Sequence, residues 1–350
     1  MWHHLFITKS LRRCPISAKS ETRPEWYKGL ARYEKPDLKK SIWQLTHTLL
    51  LYFAVFYLMV RTVQLGHTYW LTLALAVIAA GFLVRLFIFF HDCTHRSFFA
   101  SDRANTIVGY VLGILTFTPY EEWRHSHVIH HATAGNLDKR GVGDVWTMTV
   151  EEYRAGSKWQ RLAYRLVRHP LVMFGLGPGF MFLIAHRFAG KTARKAERLS
   201  VIITNLALLA IIVIASLTIG FRTYVLVQLP IILIAATAGL WLFYVQHQFS
   251  DVYWARDATW DRLKSALQGS SYYKLPKVLQ WFSGNIGLHH IHHLRARIPN
   301  YNLQRCYDEV PEVRTVAPLS IRTSLKSLWF NLWDEERQKM VGFREAWAAA

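Results

Sequence analysis

Three short stretches hold ten of the chain's 17 histidines, at spacings that suit metal binding. They read FFHDCTHRSFF, WRHSHVIHH and LHHIHHL, and each contains two histidines four residues apart. Residues four apart share one face of a helix, about 6 Å apart along its axis, so their imidazoles can meet at one ion. The histidines that fit this pattern are His91, His95, His127, His130, His131, His289, His292 and His293.

The number of imidazoles indicates two metal ions. Eight ring nitrogens exceed what one tetrahedral or octahedral ion can bind, and imidazole suits iron, zinc, copper and nickel alike. A carboxylate-bridged di-iron bundle is the specific rival, because that class repeats Glu-x-x-His on two helices. Only Glu122 and His125 have this spacing in the chain, so the rival class is excluded.

The clusters adjoin apolar segments long enough to cross a bilayer, which takes about 20 residues. The chain is 52% hydrophobic, with a mean hydropathy of +0.10. Two further apolar segments are short, and the second contains helix breakers, so we expect both to be interfacial. The predicted spans are about 42–60, 69–90, 200–219 and 223–246, and the interfacial segments are about 104–119 and 171–186. The expected fold is an all-α integral membrane protein, with four transmembrane helices in two hairpins and a cytoplasmic helical cap that carries the histidines.

Basic residues predict the sidedness of these spans. Of the 42 Lys and Arg residues, 10 lie in residues 1–41, 15 in 91–199 and 14 in 247–350. The positive-inside rule then places both termini and all three histidine clusters in the cytoplasm. The expected parts are an N-terminal tail (1–41), a membrane domain (42–310) and a C-terminal tail (311–350). Topology thus accounts for the net charge of +19, and nucleic-acid binding is not expected.

The three stretches resemble the histidine boxes of the membrane fatty acid desaturase family, in its acyl-lipid omega-6/omega-3 (Δ12-type) branch. HDCTHRSFF is similar to the first box, PYEEWRHSHVIHHATAGNLDKR to the second and HHIHHLRARIPNYNL to the third. Box order, spacing and the four-span frame agree from about residue 40 to about residue 310. His125 and His290 fall on positions that vary within the family's boxes.

The resemblance implies an O2-dependent fatty acyl desaturase with two iron ions, held by the eight box histidines. It implies a ninth ligand at His247, in FYVQHQFSDVYW, because the family's fold brings a further histidine to the metals at the end of the fourth span. The second ring nitrogen of each ligand needs an orienting partner. Side chains near the boxes that are candidates for this role are Asp92, Asp138, Asp144 and Asn285.

The implied reaction uses O2 and two electrons to form a cis double bond in an acyl chain, with a lipid-linked, Δ12/omega-6-like substrate favoured by the branch. Since the sequence contains neither a His-Pro-Gly-Gly haem signature nor a cysteine cluster, we expect an external electron donor. An acidic donor such as ferredoxin would suit the basic face. The implied location is the inner membrane of a bacterium. Aromatic residues that could line the acyl tunnel are Phe89, Phe90, Phe98, Phe99 and Phe117.

Two alternatives stay open on the sequence. The same iron site could hydroxylate an acyl chain or another hydrocarbon, because the outcome depends on how the substrate is placed. A membrane metal transporter is a more remote alternative, because transporters set ionisable ligands at mid-membrane depth. Here the histidines lie at span ends and in predicted cytoplasmic segments, and Arg85 is the only charged residue well inside a predicted span.

Overall fold

The computed structural model describes residues 24–348, so the first 23 residues of the predicted N-terminal tail lie outside the described part. The chain is mainly helical, with short strands in the cap. The α-helices are α1 (Glu25–Gly29), α2 (Leu38–Gln64), α3 (Tyr69–Thr94), α4 (Asp102–Leu115), α5 (Tyr120–Thr133), α6 (Val150–Ala155), α7 (Lys158–Arg168), α8 (Gly177–Gly179), α9 (Lys195–Thr218), α10 (Phe221–His247), α11 (Arg262–Gln268), α12 (Lys277–Phe282), α13 (His289–Leu294), α14 (Asn300–Glu309), α15 (Ile321–Ser324) and α16 (Glu345–Ala348). The π-helical turns are Leu171–Leu176 and Phe180–Ile184, and the 3₁₀ turns are Leu30–Glu34, Ala185–Arg187, Pro311–Thr315 and Leu325–Trp329.

Four helices, α2, α3, α9 and α10, are long and apolar enough to cross a membrane. This confirms the predicted four-span fold class, with α2 and α3 as one hairpin and α9 and α10 as the other. Taken together, α7 and residues 171–187 are also long and apolar enough to cross a membrane, but the two parts are bent by 60° where they meet. Counted as one span, that pair would raise the number to five.

Local signals explain where these helices begin and turn. Asp37 caps α2, because its side chain accepts a hydrogen bond of 3.1 Å from the amide of Lys40. Gly220 lies between α9 and α10 with φ +87°, a conformation that side chains disfavour, and it lets the chain reverse within two residues.

Helix α3 is the central element of the membrane part, packed against α2, α4 and α10. Small residues, Ala76, Ala79 and Ala80, are buried along it and allow the neighbouring helices to approach closely. The hydroxyl groups of Thr62 and Thr72 pair at 2.8 Å across the α2–α3 contact. These contacts hold α3 among its neighbours, and the first histidine box begins at its C-terminal end.

The cap also contains two small sheets. Strands β1 (Met148–Thr149), β4 (Leu332–Asp334) and β5 (Lys339–Val341) form one sheet in the order β1-β4-β5, with β1 parallel to β4 and β4 antiparallel to β5. Strands β2 (Tyr272–Lys274) and β3 (Pro318–Ser320) pair in parallel. Trp333 in β4 is only 1% exposed. Residues 311–348, expected from the sequence as a tail, thus fold onto the cap.

Candidate metal centre

The first histidine box lies where α3 ends. His91 is in the last turn of the helix, and the amide of His95 donates to the His91 carbonyl at 3.2 Å, so the helical turn continues through both residues. Their ring centres are 4.7 Å apart, as the four-residue spacing predicts. Arg96 then takes φ +56° and turns the chain away, which leaves the two imidazoles at the end of the span.

The second box lies on α5. His127 and His131 are one turn apart, and their Nε2 atoms are 3.1 Å apart. Trp123, one turn before His127, stacks on its ring at 4.3 Å between centres. Sequence reasoning did not single out Trp123, although its position four residues before a ligand candidate was a usable signal. Its indole fixes the ring orientation of His127.

The third box forms the short helix α13. His289 and His293 lie on one face of it, with 3.1 Å between their Nε2 atoms. His292 points to another part of the site, because its Nε2 is 3.0 Å from Nε2 of His131 on α5. The third box thus contributes histidines to two different clusters of imidazoles.

His247, the last residue of α10, joins the boxes from the fourth span. Its Nε2 atom lies 3.1 Å from Nε2 of His130 and 3.0 Å from Nε2 of His289. Its Nδ1 lies 3.1 Å from the carbonyl oxygen of Gly269, which orients the ring. The structure therefore brings this residue to the same place as the box histidines.

The nine predicted histidines form two groups, and within each group the ligand nitrogens all lie within 4.8 Å of one another. The first group draws on all three boxes, and the second on α5, α10 and α13. The first group is His91, His95, His127, His131 and His292, and the second is His130, His247, His289 and His293.

The donor set fits two metal ions. Two imidazole nitrogens bound at right angles to one ion, each about 2.1 Å from it, lie about 3.0 Å apart. The measured separations of 3.0 and 3.1 Å within the groups match this value. Nε2 of His95 is buried and has no hydrogen-bond partner in the described structure, as expected for an atom reserved for a metal.

Burial keeps the cap histidines in the form that binds metal. It lowers the pKa of these imidazoles well below the ordinary value, and the neighbouring rings lower it further. Since a metal ion needs the neutral ring, the site is prepared for binding at neutral pH. The residues affected are His95, His127, His131, His289, His292 and His293.

Two of the four predicted orienting residues, Asp144 and Asp92, lie beside histidines of the two groups. Asp144 accepts a hydrogen bond of 2.6 Å from Nδ1 of His130. Asp92 lies 3.5 Å from Nδ1 of His91, and its other oxygen accepts from the backbone and side-chain nitrogens of Asn300, each at 2.8 Å. Asp92 therefore ties the first box to the segment after the third.

The other two orienting candidates make different contacts. Asn285 donates to the carbonyl of Asn300 at 3.0 Å, so it supports the same connection indirectly. Asp138 accepts hydrogen bonds from Arg256 and from the amide of Asp257, in an exposed cluster. The structure does not bring Asp138 to any of the nine histidines, which corrects its predicted placement.

The two box histidines that the sequence analysis left out of the ligand set contact other parts of the protein. Nδ1 of His125 is 3.2 Å from the carboxylate of Glu197, on α9. His290 faces the opposite side of α13, and its Nε2 donates to the carbonyl of Val313 at 3.0 Å. His125 therefore serves as a control for substitutions in the two histidine groups.

An apolar cavity of about 360 Å³ opens onto the site, with His91, His127 and His289 in its wall. It follows α10 from Gln246 down to Ile232, about 21 Å along the helix axis. The aromatic residues in its wall include Phe87, Trp123, Phe182 and Phe243. The five phenylalanines proposed from the sequence are not among its lining residues: Phe89, Phe90, Phe98, Phe99 and Phe117 pack in the core around α3 instead.

Comparison with known proteins decides the family. The sequence profile of the family described as fatty acid desaturase matches residues 68–323, well over half of the chain. The chain belongs to the fatty acid desaturase family. This confirms the predicted family and makes the protein an oxidoreductase that acts on fatty acyl chains.

This desaturase is 49% identical over 317 residues to a fatty acid desaturase of Bacillus subtilis, which covers 91% of this chain and 90% of that one. It is 26% identical over 240 residues to the sn-1 oleoyl-lipid 12-desaturase of Synechocystis sp., covering 66% of this chain and 65% of the other. It is also 26% identical over 263 residues to the sn-1 acyl-lipid omega-3 desaturase (ferredoxin) of Nostoc sp., covering 71% and 69%. The desaturase thus has relatives in both the omega-6 and the omega-3 groups.

Proposed function

We propose that this desaturase uses O2 and two electrons to introduce a cis double bond into the acyl chain of a membrane lipid, at a Δ12/omega-6-like position. The observation that carries the proposal is the contact between the two histidine groups and the apolar cavity, whose wall includes His91, His127 and His289. The relatives from Synechocystis sp. and Nostoc sp., an oleoyl-lipid and an acyl-lipid desaturase by name, support a lipid-linked acyl substrate.

The cofactor of the proposed reaction is a pair of iron ions, held by the five-histidine and four-histidine groups. Side chains alone cannot oxidise an unactivated methylene, so the irons supply the oxidation by O2. Overall, two C–H bonds break and one carbon–carbon double bond forms, while two electrons and two protons from outside complete the reduction of O2 to two water molecules.

The chain's own residues position these parts. Asp144 and the carbonyl of Gly269 hold the rings of His130 and His247, so that both Nε2 atoms face the same point. The cavity wall excludes water and guides the acyl chain past the histidines, which fixes the methylene that reacts. Cavity length therefore sets the distance between the chain end and the new double bond.

The proposed orientation places the cap and both histidine groups in the cytoplasm, in the inner membrane of a bacterium, as the distribution of basic residues favours. Electrons then arrive from a soluble acidic donor of the ferredoxin kind. His95 and His131 are the least buried of the nine ligands. The acidic character of the donor is proposed from the excess of basic residues in the histidine-bearing segments, because beside His95 itself Arg96 pairs with Asp102 and Arg124 pairs with Glu121.

The test is expression in a host that makes only saturated and monounsaturated acyl chains, followed by gas chromatography–mass spectrometry of the fatty acid methyl esters. A diunsaturated acid that is absent from a matched His130→Ala strain is the expected result, and the fragmentation pattern gives the bond position. A hydroxy fatty acid as the product would contradict desaturation but would remain consistent with the same metal site. An unchanged profile from an iron-loaded protein with a working donor would contradict the acyl substrate.

A further inference from the structure

We propose that residues 158–187 form a lipid-contacting surface, through which the acyl chain of a bilayer lipid passes sideways into the cavity. This inference deepens the proposed function and rests on it. It assigns the substrate a route from the membrane leaflet instead of from a water-soluble carrier.

The outward face of this segment is unusually apolar. On α7, Trp159 is 80% exposed, and Leu162 and Leu166 share its side of the helix. Leu171 and Leu176, in the following π-helical turn, are 74% and 72% exposed. So many exposed large apolar side chains on one short segment mark a contact with another apolar phase rather than with water.

The opposite face of the same segment lines the cavity. Val167, Val172, Met173, Gly177 and Met181 all belong to its wall. One layer of chain therefore separates the exposed leucines from the acyl cavity. Pro178 and three glycines interrupt the regular helix here, and the π-helical turns that result make this wall less regular than α10.

The occupant of the outward face is the bilayer, because the segment continues the surface of a span. The hydroxyl of Thr237 on α10 donates to the carbonyl of Phe174 at 2.9 Å, and the Phe174 ring contacts Trp241 at 5.2 Å. These contacts place the segment beside α10, which crosses the membrane in the proposed orientation. The exposed leucines thus lie next to the hydrocarbon that surrounds that span.

The basic side of α7 fixes which face is turned outward. Arg161 donates to the carbonyl of Gly156 at 2.8 Å, and Arg165 donates to the hydroxyl of Tyr153. Arg168 donates to Gln248 at 3.1 Å, just beyond α10. Since these bonds hold the polar side against the cap, the apolar side is left for the leaflet, as in an interfacial amphipathic helix.

A depth measurement tests the surface directly. Leu171→Cys and Leu176→Cys, each in a Cys14→Ser background, would be labelled with bimane and placed in phosphatidylcholine–phosphatidylglycerol vesicles. The remaining cysteines, Cys93 and Cys306, are buried. We expect strong quenching of both labels by lipids with a nitroxide in the upper acyl chain, and none for Lys264→Cys on α11, an exposed cap position. Equal, weak quenching at all three positions would overturn the inference.

A rate measurement tests the route. The variant Leu171→Glu/Leu176→Glu removes no cavity-lining residue, so iron content should be unchanged, but it places carboxylates in the leaflet. We expect the rate on lipid-linked chains in vesicles to fall about ten-fold or more, with Lys264→Glu at the wild-type rate. A wild-type rate in the double variant would overturn the route. An inactive wild-type protein would instead contradict the proposed function. The quenching experiment would still show whether residues 158–187 contact lipid.

Discussion

The Nε2 atoms of His130 and His247 face each other at 3.1 Å, although each ring already uses its other nitrogen. Nδ1 of His130 bonds to the carboxylate of Asp144, and Nδ1 of His247 bonds to the carbonyl of Gly269. Both partners can only accept, so in a neutral ring the single N–H lies at Nδ1. Two lone pairs then point at each other, an arrangement that a shared metal ion stabilises.

Removing His247 should therefore empty the four-histidine group. We expect His247→Ala to lose about half of the bound metal and to lower desaturation at least about hundred-fold, because three ligands remain at one ion. Metal analysis and product analysis of the purified variant measure both effects. His125→Ala is the matched control, since His125 pairs with Glu197 instead. Equal metal content in the two variants would contradict the assignment.

Asp144 should strengthen metal binding because it fixes which ring nitrogen of His130 carries the proton. One carboxylate oxygen accepts from His130, and the other accepts from the amide of Gly141 at 3.2 Å. An amide side chain offers only one acceptor, so we expect Asp144→Asn to lower metal affinity or activity about 10- to 100-fold. Titration with iron under anaerobic conditions gives the affinity. Asp138→Asn, on the same loop, should leave the iron affinity unchanged. A comparable loss of iron affinity in that variant would contradict this explanation.

His290 gives the protein a pH dependence separate from metal binding. Burial lowers its pKa to about 4, against about 6.5 in an unfolded chain. Between these values only the unfolded ring binds a proton, so each pH unit of acidification favours unfolding by about 1.4 kcal/mol. The contribution is fully present above pH 6.5 and is lost as the pH falls towards 4.

The variant His290→Gln keeps a donor for the Val313 carbonyl but cannot titrate. We therefore expect its Tm to fall less than that of the wild-type protein between pH 6.5 and 4.5, when both are measured in the same detergent with metal bound. Near pH 7.5 the acid-dependent difference should be absent. Parallel Tm curves over the whole range would show that His290 is not buried as described.

Cavity length should control which acyl chains are accepted. Ala236 lines the deep part of the cavity on α10, whereas Ala238 on the same helix does not line it and is exposed. We expect Ala236→Phe to shift the products towards shorter chains, or to move the double bond towards the chain end, with unchanged iron content. Ala238→Phe should give the wild-type products. Chain-length profiling of the products separates the two, and identical profiles would exclude this cavity as the acyl site.

The sequence predicted those parts of the site that depend on local spacing. Histidines four apart meet on one helical turn, as His91 with His95 and His127 with His131 show. The four long apolar segments of the sequence were enough to predict the four long helices. His247 has no local pattern, because a single histidine at a span end is common, and only the resemblance pointed to it.

The remaining features depend on contacts between distant parts of the chain. Asp138 and Asp144 lie in the same loop, and only the tertiary path of that loop brings Asp144 to His130. Strand β4 pairs with β1, which lies far earlier in the sequence, so residues 311–348 carried no local sign of belonging to the cap. The cavity likewise arises from the packing of α3, α10 and residues 167–186, and aromatic content alone pointed to the wrong phenylalanines.

Elemental analysis of the purified wild-type chain, together with Mössbauer spectroscopy after growth on ⁵⁷Fe, tests the central claim most directly. Two groups of histidines, each with nitrogens within 4.8 Å of one another, predict two iron ions per chain in two nitrogen-rich environments. One iron per chain, or a chain loaded with zinc and free of iron in cells supplied with both metals, would contradict the account.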